Sequence, residues 1–318
     1  MLGTVDPVPP ERPTFAGLPR CPDLDALDAD VAIVGVPIGV PYGHEWAGPT
    51  SATAPRAIRE ASLRYARYLG HHDVDFDGDL LAGRDVRIFD CGDVAMAPGQ
   101  YDANGRATTR AIRTILDRGS LPIVLGGDHS VPIPVMRAFE TAGPLCVVQL
   151  DAHLDWRDEV DGVREGLSSP MRRASELSWV TGMAQIGLRG VGSGRREEVE
   201  AARAFGSVLI GAAEIHRDGV ASALDRVPAA DRYYVTVDAD GLDPAIAPAV
   251  GSPAFGGLSY YQAFDLLRGI AAKGRVIGFD LVEIVPARDH ADLTSTLGAR
   301  LILDLLGALA HEGRIGRA

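Results

Sequence analysis

The sequence predicts an α/β fold: a parallel sheet covered on both faces by helices. Three observations carry this. Short, nearly continuous apolar runs recur along the chain, the pattern of strands buried on both faces. Helical patterns lie between most of them, and strand–helix alternation at this spacing builds parallel sheets. The 318 residues show no internal repeat and no compositional break, which suits one large domain or two closely fused.

Residues 1–30, with five prolines before Pro22, read as an extended arm on the surface or on a neighbour. Residues 31–318 read as a single domain. The strand candidates are Val31–Val36, Val86–Asp90, Leu121–Leu125, Leu145–Leu150, Met183–Ile186, Val208–Ile210, Tyr233–Val237 and Val276–Leu281. The helix candidates are Ala54–Leu69, Ala107–Arg118, Val131–Phe139, Arg195–Phe205, Tyr260–Ala272 and Leu293–Ala310. The first of these starts after Thr53, a capping residue, with Pro55 in its first turn.

The net charge is −12, from 43 acidic against 31 basic residues, and Lys273 is the only lysine. An acidic surface repels phosphate backbones, so nucleic acid is not expected as a partner, while a cationic ligand is weakly favoured. The first twenty residues lack a secretory pattern, and no apolar run approaches bilayer length. A cytoplasmic protein with no membrane partner is the expectation. Cys21, Cys91 and Cys146 have no metal-type spacing and read as free thiols.

In an open parallel sheet, ligands bind beyond the carboxyl ends of the strands. Gly126-Gly127-Asp128-His129-Ser130 follows the third strand candidate, and Asp151-Ala152-His153-Leu154-Asp155 the fourth. Asp238-Ala239-Asp240-Gly241-Leu242-Asp243-Pro244 follows the seventh, and Glu283 the eighth. In extended backbone Asp151, His153 and Asp155 would point to one side, as would Asp238 and Asp240. Taken singly, each motif is an ordinary turn or helix cap. Together they put two imidazoles and four carboxylates into one crevice, where like charges repel. Divalent cations resolve that conflict, and mixed His/Asp donors suit Mn, Fe, Ni or Zn. Six ligands serve two ions if two carboxylates bridge, giving a two-metal hydrolytic centre that activates water. His71, His72, His216, His290 and His311 lack such company and read as surface or core histidines.

These three motifs, in this order and spacing, resemble the ureohydrolase family of arginases, agmatinases and related guanidino-compound hydrolases. Gly35-Val36-Pro37, Pro55-Arg56-Ala57-Ile58-Arg59, Gly92-Asp93-Val94, Gln185-Ile186-Gly187-Leu188-Arg189-Gly190 and Asp280-Leu281-Val282-Glu283 match as well. The resemblance covers Asp30 to the C-terminus. It implies a three-layer α/β/α catalytic domain with a central, mainly parallel eight-stranded sheet, assembled as a homotrimer or homohexamer. It implies two divalent ions, Mn²⁺ first and Ni²⁺ as the alternative. His129, Asp151, Asp155 and Asp238 would hold one ion. His153, Asp151, Asp238 and Asp240 would hold the other. Glu283 matches the position that binds the substrate guanidinium. Asp243 and Leu167 are taken as substrate-side residues, and Asp128 as support behind the ligands.

The implied reaction is agmatinase-like: a guanidino compound and water give urea and an amine, with Asp155 relaying the proton. The sequence departs from the family around the substrate entrance. Leu167 stands where many members have a histidine that is a candidate proton carrier. Val285 stands where an asparagine is usual, and the loop from Pro41 to Pro49 lacks the usual arginine. His44 is therefore taken as the acid–base group, with Glu45 and Glu165 as further candidates. A guanidino acid, guanidine or a biguanide are alternative substrates, and Arg157, Arg164 or Arg172 would suit a carboxylated tail. A non-catalytic subunit of a hetero-oligomer, or a deacetylase-like hydrolase with one metal, are the readings from other classes.

Overall fold

β-Branched and aliphatic residues fill all eight runs, and all eight become strands of one sheet. The computed structural model describes residues 5–6, 12–39, 42 and 51–317. The strands are β1 (Val31–Val36), β2 (Ile88–Val94), β3 (Leu121–Gly126), β4 (Leu145–Leu150), β5 (Val180–Leu188), β6 (Val208–Gly211), β7 (Arg232–Asp238) and β8 (Arg275–Val282). Their order across the sheet is β2-β1-β3-β8-β7-β4-β5-β6, every neighbouring pair parallel. Val5–Asp6 adds a two-residue antiparallel edge beside β2. Because β8 and β7 insert between β3 and β4, the carboxyl ends that carry the polar motifs become neighbours.

Alternation along each strand sorts its side chains into two apolar layers. Val31 and Ile33 face one cluster, with Ile58 of α1 (Ala54–Ser62) and much of the last two helices. Ala32, Val34 and Val36 face the other, with Ile112 and Ile115 of α2 (Tyr101–Asp117) and Met136 of α3 (Pro132–Arg137). The remaining helices are α4 (Pro170–Ser175), α5 (Arg196–Phe205), α6 (Ala212–Arg226), α7 (Tyr260–Lys273) and α8 (Leu293–His311).

Four expectations need correction. Neither α4 nor α6 was read from the sequence; α4 has six residues, and Gly219, at φ +83°, interrupts the periodicity of α6. α1 ends at Ser62, and a 3₁₀ turn follows at Leu63–Tyr65. The second strand starts at Ile88 and runs to Val94, so Gly92-Asp93-Val94 belongs to it. Finally, one helix is long and apolar enough to cross a bilayer: His290–His311, with mean hydropathy 1.4. Its most apolar stretch is 78% buried inside the protein, so it is a core helix lying against the sheet.

The described part of the N-terminal arm is fastened to the domain. Phe15 is fully buried, and its N–H donates to Asp90 Oδ2 at 2.8 Å. Cys91 and Cys146 are buried and Cys21 half-buried, all three as free thiols.

Candidate metal centre

β3, β8, β7 and β4 end on one cavity of about 1050 Å³. Its floor holds His129, Asp155, Asp238, Asp240 and Glu283, with His153 on its wall. Glycines bring these loops close together. A Cβ on Gly127 would fall 1.8 Å from the Ile38 carbonyl oxygen, and one on Gly241 2.8 Å from the Asp151 nitrogen. Only glycine permits such approaches.

The carboxylates converge by a different route from the extended backbone the sequence suggested. Residues beyond β4 turn at once: the His153 N–H donates to Asp151 Oδ1, and Asp155 sits in left-handed backbone at φ +51°. Beyond β7, Ala239–Gly241 forms a 3₁₀ turn with the Asp240 N–H donating to Asp238 Oδ1 at 2.8 Å. Aspartate side chains that bond backbone two residues on favour such turns. The side chains therefore converge through local Asp turns and not through strand alternation.

Two groups of donor atoms result, His129–Asp151–Asp238 and Asp151–His153–Asp240, with Asp151 common to both. His129 Nδ1 lies 3.0 Å from Asp151 Oδ2, 2.8 Å from Asp155 Oδ2 and 3.0 Å from Asp238 Oδ2. His153 Nδ1 lies 3.0 Å from Asp240 Oδ2 and 3.5 Å from Asp151 Oδ1. Among the described residues, no Lys or Arg pairs with any of these four carboxylates.

The tautomer of His129 tests whether a cation fits. Asp280 is fully buried and accepts from both the Tyr234 hydroxyl and Thr236 Oγ1, the latter at 2.6 Å. With its proton spent there, Thr236 Oγ1 accepts from His129 Nε2–H at 3.1 Å. Nδ1 is then a lone pair facing three carboxylate oxygens, and this buried atom has no hydrogen-bond partner. A lone pair among anions is repulsive unless a cation joins them.

Protonation equilibria show the same demand for positive charge. Burial opposes a charged His129, yet Asp155, Asp151 and Asp238 drive its pKa well above the ordinary value. Burial likewise opposes charge on His153, and Asp151 with Asp240 still raises it to about 12. Burial, then the Asp151 charge, pushes Asp155 up to about 7. Burial, then Asp240 and Asp151, pushes Asp238 well up. Burial opposes charge on Asp151 as well, but His129 and His153 hold it below the usual range, so it stays ionised, and protons enter the others because four buried carboxylates cannot all stay ionised side by side.

Glu283 closes the cavity from β8. It has φ +63°, a conformation that costs a non-glycine residue about 1 kcal/mol or more. Its Oε1 accepts the His129 N–H at 2.8 Å and its Oε2 the Ser51 hydroxyl at 3.3 Å. Burial, then the charge of Asp128, raises it to about 8. Asp128 itself is buried, lines the cavity and accepts from the Ser130 N–H at 3.0 Å.

The other residues singled out from the sequence scatter. Leu167 lines the cavity. Asp243 is not among the lining residues. Its oxygens accept from the N–H groups of Ala245, Gly256 and Gly257 at 2.9–3.0 Å, which makes it a loop clamp and not a substrate contact. Glu165 is held by both terminal nitrogens of Arg137, at 3.0 and 2.6 Å, and does not reach the cavity. His44 and Glu45 lie outside the described residues. Of the three arginines proposed for the entrance, Arg157 lines the cavity; Arg164 and Arg172 pair with acids elsewhere. Arg195 and Arg288, not singled out before, line it too.

Sequence reading also missed Tyr42, Thr236, Asp280 and Gln149. Tyr42 is 4% exposed and lines the cavity, its oxygen accepting the Ser168 N–H at 2.9 Å. The signal for the other three was a polar residue inside an apolar strand.

Comparison with known proteins agrees with the geometry. The arginase family model matches residues 29–307. The chain belongs to the arginase family. A guanidinopropionase of Pseudomonas aeruginosa is 34% identical over 95% of this chain and 95% of its own length. An agmatinase of Pyrococcus horikoshii is 31% identical over 91% and 95%. Among solved structures, proclavaminate amidino hydrolase from Streptomyces clavuligerus superimposes with a TM-score of 0.79 at 29% identity, covering 95% of this chain and 98% of that one. As an arginase-family amidinohydrolase, the protein acts on carbon–nitrogen bonds of linear amidines. Its eight parallel strands and enclosing helices are the fold of those relatives.

Proposed function

We propose that the protein is a binuclear amidinohydrolase that converts a guanidino compound and water to urea and an amine. The observation that supports this best is the pair of donor groups joined at Asp151, with His129 Nδ1 unpartnered among three carboxylates. His129, Asp151, Asp155 and Asp238 would hold one ion, and His153, Asp151, Asp238 and Asp240 the other. Mn²⁺ is the first choice and Ni²⁺ the second for such donors. When bound, such ions supply a hydroxide nucleophile at neutral pH.

The chain's own residues do the rest. Among the described residues Glu283 has no cationic partner where it faces the cavity, and a planar guanidinium supplies one through paired N–H donors. Its raised pKa means that binding the cation displaces a proton from it. Asp155 takes the proton of the attacking water as the oxygen–carbon bond forms, and passes it on as the carbon–nitrogen bond breaks. Leu167 can pass no proton. Tyr42, beside it at Ser168, is the group that would carry that proton on: its O–H goes to the leaving nitrogen as the proton from Asp155 replaces it. His44 is the alternative from the neighbouring loop.

Agmatine is the first substrate to test. A guanidino acid is the second reading, favoured by Arg157, Arg195 and Arg288 on the cavity lining and by the likeness to a guanidinopropionase. A trimer or hexamer in the cytoplasm is the setting expected from the resemblance and composition. Urea release from a panel of agmatine, guanidino acids and guanidine, with Mn²⁺ or Ni²⁺ supplied, is the test. Urea from at least one is expected. A protein that binds both ions and releases urea from none would overturn the catalytic reading in favour of a non-catalytic subunit.

A further inference from the structure

Gln149 and Gln185 are fully buried amides on adjacent strands, directly opposite each other in the β4–β5 ladder. They interrupt a sheet face otherwise occupied by Val147 and Met183. Ser207, 7% exposed, precedes β6 on the far side of Gln185. A buried amide that lacks partners is destabilising, so their bonds must be accounted for.

The account closes completely. Ser207 Oγ donates to Gln185 Oε1 at 2.9 Å. Gln185 Nε2 donates to Gln149 Oε1 and to the Leu154 carbonyl, both at 2.6 Å. Gln149 Nε2 donates to Asp151 Oδ2 at 2.6 Å and, more weakly, to Asp155 Oδ2 at 3.5 Å. The two amide N–H bonds of each glutamine are thus spent on two acceptors each.

The direction of the relay is fixed from one end. Flipping Gln149 would turn its oxygen toward two carboxylates and its NH₂ toward the NH₂ of Gln185. Anions at the end of β4 therefore orient Gln149, which orients Gln185. Ser207, able to donate or accept, completes whichever pattern results.

The carboxylate oxygens at the end of the relay matter. Asp151 Oδ2 and Asp155 Oδ2 are the same atoms that face His129 Nδ1 at 3.0 and 2.8 Å. Gln149 binds them from behind and carries no charge. A Lys or Arg there would neutralise the anions and compete with a cation. A hydrocarbon would leave Asp151 short of a donor and free to rotate.

We propose that Ser207, Gln185 and Gln149 form a neutral, one-directional relay that positions Asp151 and Asp155 and so favours cation binding on the His129 side of the centre over the His153 side. Gln149 is a positioning residue, since at the centre it bonds the carboxylates and no reacting atom. The proposal rests on the reading that both donor groups bind ions, and deepens it by ranking them.

The test measures the two Mn²⁺ dissociation constants by competition with a chelator, without substrate. Two ions bound by the unmodified protein are required; none bound would sink the two-metal reading itself. Gln149→Leu, similar in volume, is expected to weaken one ion about 10–100-fold, as partners behind metal ligands commonly do, and to move the other by less than threefold. Ser207→Ala, far from the ligands and mild in its effect on folding, should weaken the same ion to a smaller degree. Gln149→Leu and Gln185→Leu combined should cost clearly less than the sum of the two, because each breaks the same relay. Two unchanged constants in Gln149→Leu, an equal loss of both, or additive effects would overturn the proposal. So would a Ser207→Ala protein that loses thermal stability with both constants unchanged, because that marks a packing role.

Discussion

On β2, Asp90 and Asp93 share one arginine; at the ends of β4 and β7, Asp151, Asp155, Asp238 and Asp240 share none. Arg59 is 3% exposed and grips Asp90 through Nε at 2.8 Å and Nη2 at 3.0 Å, and Asp93 through Nη1 at 2.6 Å. Asp90 also accepts from the N–H groups of Phe15 and Gly92. That group is finished within the chain and ties the N-terminal arm, α1 and β2 together. The second group is just as buried, yet among the described residues the groups that face it are two imidazoles, one of them turned lone pair inward. Burial of carboxylates does not by itself mark a functional site. What marks it is an excess of negative charge that the chain leaves for something else to balance.

The largest effects should separate the two groups. Asp151→Asn removes the one carboxylate common to both donor groups. Activity should fall about a thousandfold or more, the worth of several kcal/mol of metal-assisted stabilisation. Folding of the protein in chelator should be only mildly weakened, since an anion has gone but so has one of the two oxygens that accept from Gln149 Nε2 and the His153 N–H. Arg59→Leu should do the reverse. Leaving Asp90 buried without its partner costs about 3–5 kcal/mol of stability, while activity per folded molecule stays within about threefold. Denaturation midpoints and turnover, measured together, check both. An Asp151 variant that unfolds like the Arg59 variant would erase the distinction.

Much of this contrast was legible in the sequence. All eight strands and the six clustered His and Asp residues stand out because buried strands are continuous apolar runs that end abruptly in polar motifs. The turns at Asp151 and Asp238 were not legible, since alternation and an Asp turn both bring residues i and i+2 together. Asp243 was misplaced for a related reason: sequence shows a carboxylate near a ligand but not the Gly256 and Gly257 amides, distant in the chain, that claim it. Gln149 and Thr236 announce themselves only once neighbouring strands are known, because their meaning lies in cross-strand bonds.

A smaller effect comes from pH. Asp155 and Glu283 have folded pKa values near 7 and 8, against 3.8 and 4.5 for the ordinary groups. Both are raised, so the protein without ions keeps their full contribution below about pH 4 and loses it as pH rises through 7 and 8. With about 1.4 kcal/mol per unit at most, and coupling between the groups, the loss should be about 3 kcal/mol. Divalent ions hold these carboxylates ionised in the folded state and should flatten the slope. Urea denaturation at pH 5 and pH 8.5, in chelator and in Mn²⁺, measures it. Equal slopes in the two conditions would mean that the carboxylate excess is balanced without ions.

The smallest effect lies on the cavity wall, where the chain offers a hydrocarbon and a phenol side by side. Tyr42 is held there by shape as well as by its bond to the Ser168 N–H: a Cβ on Gly166 would lie 2.1 Å from its ring and oxygen. Among the described residues its oxygen is engaged only as an acceptor, which leaves its own O–H to the cavity. Tyr42→Phe keeps the ring but removes that donor together with the acceptor of the Ser168 N–H. Turnover should drop about tenfold, the value of one good hydrogen bond, with both ions retained and the denaturation midpoint lowered only slightly. The drop is modest because water can enter where the hydroxyl stood. Leu167→His, added to Tyr42→Phe, sharpens the point. An imidazole at 167 offers a proton on the same wall, so turnover of the double variant should recover toward that of the unmodified protein. In the unmodified background the same histidine should help little, since Tyr42 already does the work. If Tyr42→Phe is harmless, or if histidine at 167 helps equally in both backgrounds, the proton comes from elsewhere, and the His44 loop becomes the place to look.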